Sequence, residues 1–259
     1  MNQSEKRLFL IQSLLKERPE YRDLSIPSES DSQRQLLRGL MNIRAPQRTD
    51  AEFLKTQDAY LQGETAAKGI TDIAGLTPIQ PGLYLWQGDI TTLKCDAIVN
   101  AANSGMTGCY IPNHRCIDNA IHTYAGVELR LACAELMEQQ GHPEPTGQAK
   151  ITPAFNLPCR YVLHTVGPII DGRVTKEDKE LLASCYRSCL ELAAENGLES
   201  VAFCCISTGE FHFPNEQAAQ IAVETVKQFM NRNTSVKKVI FNVFKDLDKA
   251  IYKKLLRAD

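Results

Sequence analysis

From residue 81 onward, the chain alternates apolar strands with helical segments. The strand candidates are LYLWQG, DAIVNAA, QAKITPA, YVLHTVG, VAFCCIS and KVIFNVF. The segments between and after them have apolar residues at helical spacing; they are residues 117–125, 127–139, 176–196, 215–231 and 246–256. Parallel strands need long crossover connections, usually helical, and are buried on both faces. The alternation therefore predicts a three-layer α/β fold, with a mostly parallel mixed sheet between helices.

The first 80 residues have a different pattern, in which no strand signal is strong. Apolar residues recur at helical spacing at Leu8, Ile11, Leu14 and Leu15. A second helix is expected before Pro46, and a third over residues 50–62, ended by Gly63. We therefore expect a helical N-terminal extension at residues 1–80 and one α/β domain at residues 81–259. The pattern leaves open whether the extension packs on that domain or binds a partner.

Composition excludes several classes of protein. A formal net charge of −2 does not indicate a broad basic surface, so no nucleic-acid partner is expected. No apolar run reaches transmembrane length and no secretory leader is visible, so no membrane partner is expected. The 9 cysteines are an odd number, and several of them, such as Cys204 and Cys205, lie in apolar segments. They indicate reduced thiols in a cytoplasmic protein.

Ligands of open α/β sheets bind beyond the carboxyl ends of the strands, and Asp89 directly follows the first of these strands. Its carboxylate can accept from an exocyclic amine while the Ile90 N–H donates to a ring nitrogen, which suits adenine. An aspartate in this place is also a common turn former or helix cap. Both readings stay open from this motif alone.

The loop after VAFCCIS has the features of a diphosphate site. It contains Ser207, Thr208, Gly209, Glu210 and Phe211, and a predicted helix follows it. Successive backbone N–H groups ahead of a helix bind an anion without lysine or arginine, and this loop has neither. The alternative is a plain strand-to-helix connection.

Asn100 and Asn103 close the second strand of the alternating region. An amide donates and accepts at once, which suits ribose hydroxyls, although asparagine also favours left-handed turns.

Cys109, His114 and Cys116 place three nitrogen and sulfur ligands within eight positions. Zinc binds cysteine and histidine at such short spacings, and three protein ligands are typical of catalytic rather than structural zinc. Coincidence in a cysteine-rich chain is the alternative. His122 and Cys133 are candidates for a fourth ligand, but both fall on predicted helices, where packing competes with metal binding.

Taken together, GDIT, NAAN, HTVGP and STGEF resemble the MacroD-type branch of the ADP-ribose-binding macrodomain family. The resemblance covers about residues 83–256. It implies the macrodomain fold, a diphosphate wrapped by residues 207–211, and Phe211 against the distal ribose. It also implies that Asn103 orients that ribose.

One segment departs from this branch. Where MacroD-type members carry a run of glycines, this chain has GCYIPNHRC. The departure resembles the zinc-containing macrodomains, which act as protein-ADP-ribose hydrolases. Asp118 matches an aspartate implicated in positioning the attacking water. Because the glycines are absent, three roles stay open for Asp118: orienting water, bonding a zinc-ligand imidazole, or capping the helix that begins there.

The resemblance thus implies a Zn²⁺-dependent hydrolase that removes mono-ADP-ribose from an acidic side chain of a protein, with Asn103 and Asp118 as catalytic residues. Whether zinc polarises the substrate or activates water is left open. The implied protein substrate is an ADP-ribosylated lipoyl-carrier protein of the glycine-cleavage H type, and the implied functional partner is a class M sirtuin. Two alternatives remain: an ADP-ribose-binding module with structural zinc, and an O-acetyl-ADP-ribose deacetylase.

Overall fold

Three helices form the N-terminal part of the computed structural model, which describes residues 1–21 and 23–257. They are α1 (Gln3–Lys16), α2 (Ser30–Ile43) and α3 (Ala51–Lys68). Asn2 begins α1 with a capping box, and the Asp50 carboxylate caps α3. Helix α3 does not end at Gly63, contrary to the prediction. Gly63 instead faces the Gln3 side chain, where a Cβ would come within 2.7 Å of Gln3 Nε2, so glycine allows α1 and α3 to approach closely.

The strands of the α/β body belong to two sheets. The small sheet pairs β1 (Thr71–Asp72) with β3 (Leu93–Lys94). The main sheet has six strands: β2 (Leu83–Gln87), β4 (Ala97–Ala102), β5 (Ala149–Pro153), β6 (Tyr161–Val166), β7 (Ser200–Phe203) and β8 (Lys238–Val243). Their order is β2-β8-β7-β4-β6-β5. Every neighbouring pair is parallel except β5 and β6, so the predicted mostly parallel mixed sheet is confirmed.

Helices flank this sheet, as the alternation predicts. They are α4 (Ile117–Ala125), α5 (Val127–Gln140), α6 (Lys176–Glu195), α7 (Asn215–Met230) and α8 (Asp246–Arg257). Helix α7 lies between α6 and α8, which contact the sheet near its two ends, whereas α4 and α5 form a separate pair against β4 and β5. The apolar core between these layers includes Val99, Leu163 and Phe241, each at most 1% exposed.

The N-terminal helices pack on the body rather than standing apart from it. They enclose their own apolar cluster, centred on Leu10, Ile11 and Phe53, which Val127 of α5 joins. Helices α2 and α3 both contact α4. The segment after α3 belongs to the body, because β1 pairs with β3 and Ile73 packs in the main core. The helical layer therefore ends at Lys68.

Most predicted elements agree with the structure to within a few residues at each end. The two-residue strands β1 and β3 were not predicted, because two residues are too few to show an alternating pattern. All 9 cysteines are free. Within the described ranges, no helix combines the length and apolarity needed to cross a membrane.

Candidate active site at the carboxyl edge of the sheet

The strand order lines up the predicted site residues along one edge of the sheet. Strands β2, β8, β7, β4 and β6 are mutually parallel, so their carboxyl ends meet at that edge. Asp89 follows β2, residues 207–211 come after β7, and Asn103 follows β4. The edge thus presents a carboxylate, then a backbone-rich loop, then amides, in that order. We call residues 207–211 the nucleotide loop and residues 109–116 the metal loop.

Asp89 serves as a cap and also has a charged partner. Its Oδ1 accepts from the backbone N–H and the hydroxyl of Thr91, at 3.0 and 2.6 Å, which caps the short 3-10 helix Ile90–Thr92. Its Oδ2 lies 3.0 Å from Lys68 Nζ, at the C-terminal end of α3. Burial opposes the charge, but the Thr91 and Lys68 bonds outweigh it and lower the pKa of Asp89. The carboxylate is therefore ionised and held in a fixed orientation at the carboxyl end of β2.

The nucleotide loop is shaped by one left-handed residue and by close contacts within the body. Ser207 has φ 64°, which is unusual for a residue other than glycine. The Ser207 carbonyl accepts from Phe213 N at 2.9 Å, and the Phe211 carbonyl accepts from Ile170 N at 2.9 Å. A Cβ at Gly167 would overlap the Ser207 hydroxyl, so only glycine allows the loop after β6 to approach this closely. The loop is anchored at both ends.

A buried polar cluster lies at the end of β4. Asn100 pairs with His164 across the parallel strands β4 and β6, and both side chains are fully buried. Asn100 Nδ2 donates to Asp118 Oδ1 at 2.8 Å and lies 3.2 Å from His164 Nδ1. Burial raises the pKa of Asp118 to about 6, against the opposing effects of the Asn100 bond and of Arg130. One oxygen of Asp118 is thus fixed by the core.

The other oxygen of Asp118, Oδ2, contacts Asn103, which lies between Asp118 and solvent. Asn103 Nδ2 lies 3.4 Å from Asp118 Oδ2 and donates to the Gly108 carbonyl at 3.2 Å. Asn103 is exposed, whereas Asp118 is 4% exposed. The structure therefore brings the two predicted catalytic residues together, with the amide on the solvent side.

The metal loop brings its three predicted ligands together. One ligand atom each from Cys109, His114 and Cys116 lies within 4.8 Å of the others, and Cys109 Sγ is 3.5 Å from His114 Nδ1. Cys116 also begins α4, where its Sγ accepts from Asn119 N at 3.4 Å. Burial, with a contribution from the neighbouring Cys109, raises the pKa of Cys116 to about 12. Two sulfurs and an imidazole nitrogen at this spacing are a donor set that fits zinc.

His122 and Cys133, the candidates for a fourth ligand, do not join this set. They lie with His164 in a second, fully buried group. His164 Nε2 is 2.9 Å from Thr152 Oγ1, and its Nδ1 faces Asn100, so both ring nitrogens have protein partners. Burial lowers the pKa of His164 to about 3, which keeps the imidazole neutral. This group is part of the core.

Glu210 connects the two loops. Its Oε1 lies 3.7 Å from His114 Nε2, whereas the other ring nitrogen of His114, Nδ1, faces Cys109. Metal-binding histidines commonly direct their second nitrogen at a carboxylate, which fixes the ring orientation. Glu210 was predicted only as part of the nucleotide loop, and the structure adds this contact with a predicted metal ligand.

Several residues that hold the metal loop were missed by the sequence reasoning. Arg38 and Asn42 of α2 bond the loop region directly, and Asn119 of α4 bonds the Ile111 carbonyl at 3.0 Å. Arg130 of α5 stacks on the Tyr110 ring at 4.2 Å. No short motif marks Arg38 or Asn42, because both lie about 70 residues before the loop. Asn119 did carry a signal, since it directly follows Asp118 at the start of a helix.

Comparison with known sequences is consistent with this geometry. The family model described as Macro domain matches residues 99–222. A protein-ADP-ribose hydrolase of Treponema medium is 60% identical over 99% of this chain and 100% of its own length. A protein-ADP-ribose hydrolase of Staphylococcus aureus is 49% identical over 97% of this chain and 95% of its own length. These matches run through the N-terminal helices as well as the body.

Solved structures of macrodomains also superpose on this chain. A mutant of the Oceanobacillus iheyensis macrodomain with ADPR superposes with a TM-score of 0.64 at 39% identity, covering 71% of this chain and 96% of that one. The Trypanosoma brucei macrodomain in complex with ADP-ribose superposes with a TM-score of 0.66 at 30% identity, covering 84% of this chain and 94% of that one.

Proposed function

Since this chain belongs to the macrodomain family, we propose that it is a zinc-dependent hydrolase that removes mono-ADP-ribose from an acidic side chain of a modified protein. The observation that carries the proposal is the position of three zinc-type ligands, Cys109, His114 and Cys116, next to a carboxylate and an amide at the ribose end of the site. A reader of ADP-ribose needs the nucleotide loop, but it does not need a carboxylate and an amide beside three metal ligands. The relatives that match over nearly the whole chain carry the name protein-ADP-ribose hydrolase.

The edge of the sheet suits ADP-ribose from one end to the other. Asp89 is ionised and can accept from the adenine amine, while the Ile90 N–H starts a 3-10 turn and points away from its own helix. The nucleotide loop precedes α7 and presents backbone N–H groups to a diphosphate. The distal ribose then reaches Asn103. Two macrodomains that superpose on this chain were solved with ADPR or ADP-ribose, which supports this placement.

The proposed chemistry takes place at the bond between ribose C1″ and an acyl oxygen of an aspartate or glutamate ester. Cys109, His114 and Cys116 would hold a zinc ion, which would supply Lewis-acid chemistry at that bond. The protein residues position the reactants. Asn103 bonds a hydroxyl of the distal ribose, and Asp118, fixed through Oδ1 by Asn100, turns Oδ2 towards the ribose end to orient a water molecule.

The partners are proposed from the resemblance and fit the surface of the site. The rim of the metal loop exposes Tyr110 and Ile111, at 41% and 59%. Such apolar side chains suit contact with a protein substrate rather than with a small ester alone. We propose an ADP-ribosylated lipoyl-carrier protein as substrate, a class M sirtuin as the enzyme that adds the mark, and a cytoplasmic location.

Turnover measured on two substrates tests the proposed function. Full-length protein should release ADP-ribose from a carrier protein modified on an acidic side chain at least about 10-fold faster, in kcat/KM, than it releases acetate from O-acetyl-ADP-ribose. The reverse preference would identify a small-ester deacetylase. Binding of ADP-ribose without turnover of either substrate would identify a binding module.

A further inference from the structure

The outer support of the metal loop comes from α2, a helix of the N-terminal layer. The Arg38 guanidinium donates through Nη2 to the His114 carbonyl at 3.0 Å and to Asn119 Oδ1 at 2.8 Å. Its Nε donates to the same Asn119 oxygen at 3.2 Å. Asn119 in turn donates to the Ile111 carbonyl at 3.0 Å. Arg38 therefore fixes the backbone of the predicted ligand His114 directly and, through Asn119, the backbone of Ile111.

Asn42 supports the loop one residue before the same ligand. Asn113 has φ 56°, and its N–H donates to Asn42 Oδ1 at 2.9 Å. Asn42 Nδ2 donates to Thr123 Oγ1 of α4 at 3.0 Å, so both polar atoms of its amide are used. The side chain is 1% exposed. Asparagine adopts left-handed backbone more readily than most residues with a Cβ, and the bond to Asn42 fixes Asn113 in that conformation.

The end of α2 is itself locked to the metal loop region. Arg130 Nη1 donates to the carbonyls of Asn42 and Arg44, both at 2.6 Å. Its Nε donates to the Thr107 carbonyl at 2.7 Å, two residues before the loop starts. Arg130 is 4% exposed, so these charge-assisted bonds form away from water, where they are strong. Arg130 thus links the C-terminal end of α2 to the segment just before the metal loop.

We propose that Arg38 and Asn42 are positioning residues of the hydrolase, which hold the metal loop in the shape that brings its three ligands together. The inference rests on the proposed zinc site and adds the N-terminal layer to it. Few hydrogen bonds inside the loop fix its shape; the one backbone bond within it joins His114 N to Ile111 O at 3.2 Å. Groups outside a metal site that orient its ligands commonly change metal affinity by 10–100-fold. In this chain two of those groups, Arg38 and Asn42, come from a helix outside the α/β body.

Zinc affinity of full-length variants tests the proposal. Arg38→Met removes the guanidinium and keeps most of the aliphatic stem. Arg34→Met is the matched control, because Arg34 lies one turn earlier on α2 and pairs instead with Asp31 and Glu64. Competition with a chromophoric chelator should show a zinc dissociation constant about 10–100-fold higher for Arg38→Met and within about 2-fold of wild type for Arg34→Met. The ADP-ribose dissociation constant should stay within about 2-fold in both variants.

Two further measurements separate positioning from general destabilisation. In Co²⁺-substituted protein, the thiolate-to-cobalt absorption should weaken or shift in Arg38→Met and in Asn42→Ala, while circular dichroism at the assay temperature shows that both variants keep the wild-type fold. Arg38→Met combined with Asn119→Ala should weaken zinc binding less than the sum of the single changes, because the guanidinium acts in part through Asn119.

Each outcome decides a different part of the account. Wild-type zinc affinity and cobalt spectra in Arg38→Met and Asn42→Ala would overturn the positioning role and leave the hydrolase standing. Wild-type protein that hydrolyses its substrate without binding zinc would overturn the zinc site and this inference with it.

Discussion

The two loops that flank the site are held by different parts of the molecule. The nucleotide loop is fixed entirely by the α/β body, through Phe213, Ile170 and the close approach of Gly167. The metal loop is held by Asn119 of that body and also, from outside the body, by Arg38 and Asn42 of α2. The contacts of the nucleotide loop therefore come from the body, although Lys68 of α3 pairs with Asp89 at the adenine end. The metal loop takes part of its support from α2. Binding and catalysis should respond separately to change in this protein.

Loss of a metal ligand should have the largest effect. It should separate catalysis, which depends on the metal loop, from ADP-ribose binding, which depends on the nucleotide loop. Changing Cys109, His114 or Cys116 to Ala should lower kcat more than about 100-fold, since even indirect support of a metal is worth 10–100-fold. ADP-ribose affinity should change by no more than about 3-fold, because the adenine and diphosphate contacts lie elsewhere. Single-turnover kinetics and calorimetry measure the two quantities. His142→Ala, which alters an exposed histidine outside both loops, is the control and should behave as wild type.

A change at Asp118 should have the second-largest effect. It tests whether the catalytic residues lie beside the metal loop rather than beside the nucleotide loop. Asp118→Asn keeps the shape of the side chain and can still accept from Asn100, but it removes the carboxylate that orients water. We expect kcat to fall about 100-fold, which is in the range for loss of a catalytic acid or base, with ADP-ribose affinity nearly unchanged. If kcat stays within about 3-fold of wild type, Asp118 has only a structural role in the buried cluster with Asn100, since the cap of α4 is Cys116.

Asp89 tests the nucleotide side with an intermediate effect. Asp89→Ala should weaken ADP-ribose binding by about 1–3 kcal/mol, the range for a hydrogen bond to a charged group, while the zinc content stays the same. Asp72→Ala is a close structural control. Asp72 also caps a short 3-10 helix and pairs with a lysine, Lys94, at 2.8 Å, but it lies at a different place on the surface. Equal affinities for the two variants, measured by calorimetry, would remove Asp89 from the adenine site.

The smallest effect is expected at Glu210, where the two loops meet. Glu210 is 68% exposed on its side chain and lies 3.7 Å from His114, so the interaction is weak and screened by salt. Glu210→Gln should raise the zinc dissociation constant by about 2–5-fold at low salt, and the difference should shrink at high salt. A change larger than 10-fold would mean that the support of the metal loop is shared more evenly between the two regions than the α2 contacts indicate.

Sequence reasoning anticipated the body better than the N-terminal layer. Strand and helix periodicity marks elements such as α4 and β6 because they are long and packed on a single core. The pattern predicts a helix end at Gly63 because glycine is a poor helix former, but α3 continues through Gly63, which lets the helix pack closely against Gln3. The strands β1 and β3 were too short to detect.

The site could be predicted where its chemistry is local in sequence. Cys109, His114 and Cys116 lie within eight positions, and the structure does bring them together. Arg38 could not be predicted, because its role depends on how α2 packs against α4, and a lone arginine on an amphipathic helix has no pattern that marks it. Lys68 was missed for the same reason, although it binds the predicted adenine carboxylate.

Removal and return of the metal tests the central claim most directly. Full-length protein should hold about one zinc per chain by elemental analysis, the occupancy of a single four-coordinate site. Chelated protein that keeps its fold by circular dichroism should bind ADP-ribose within about 3-fold of the original affinity and lose hydrolysis of the ADP-ribosylated protein. Added zinc should restore hydrolysis. Metal-free, folded protein that hydrolyses the ester at the normal rate would contradict the account.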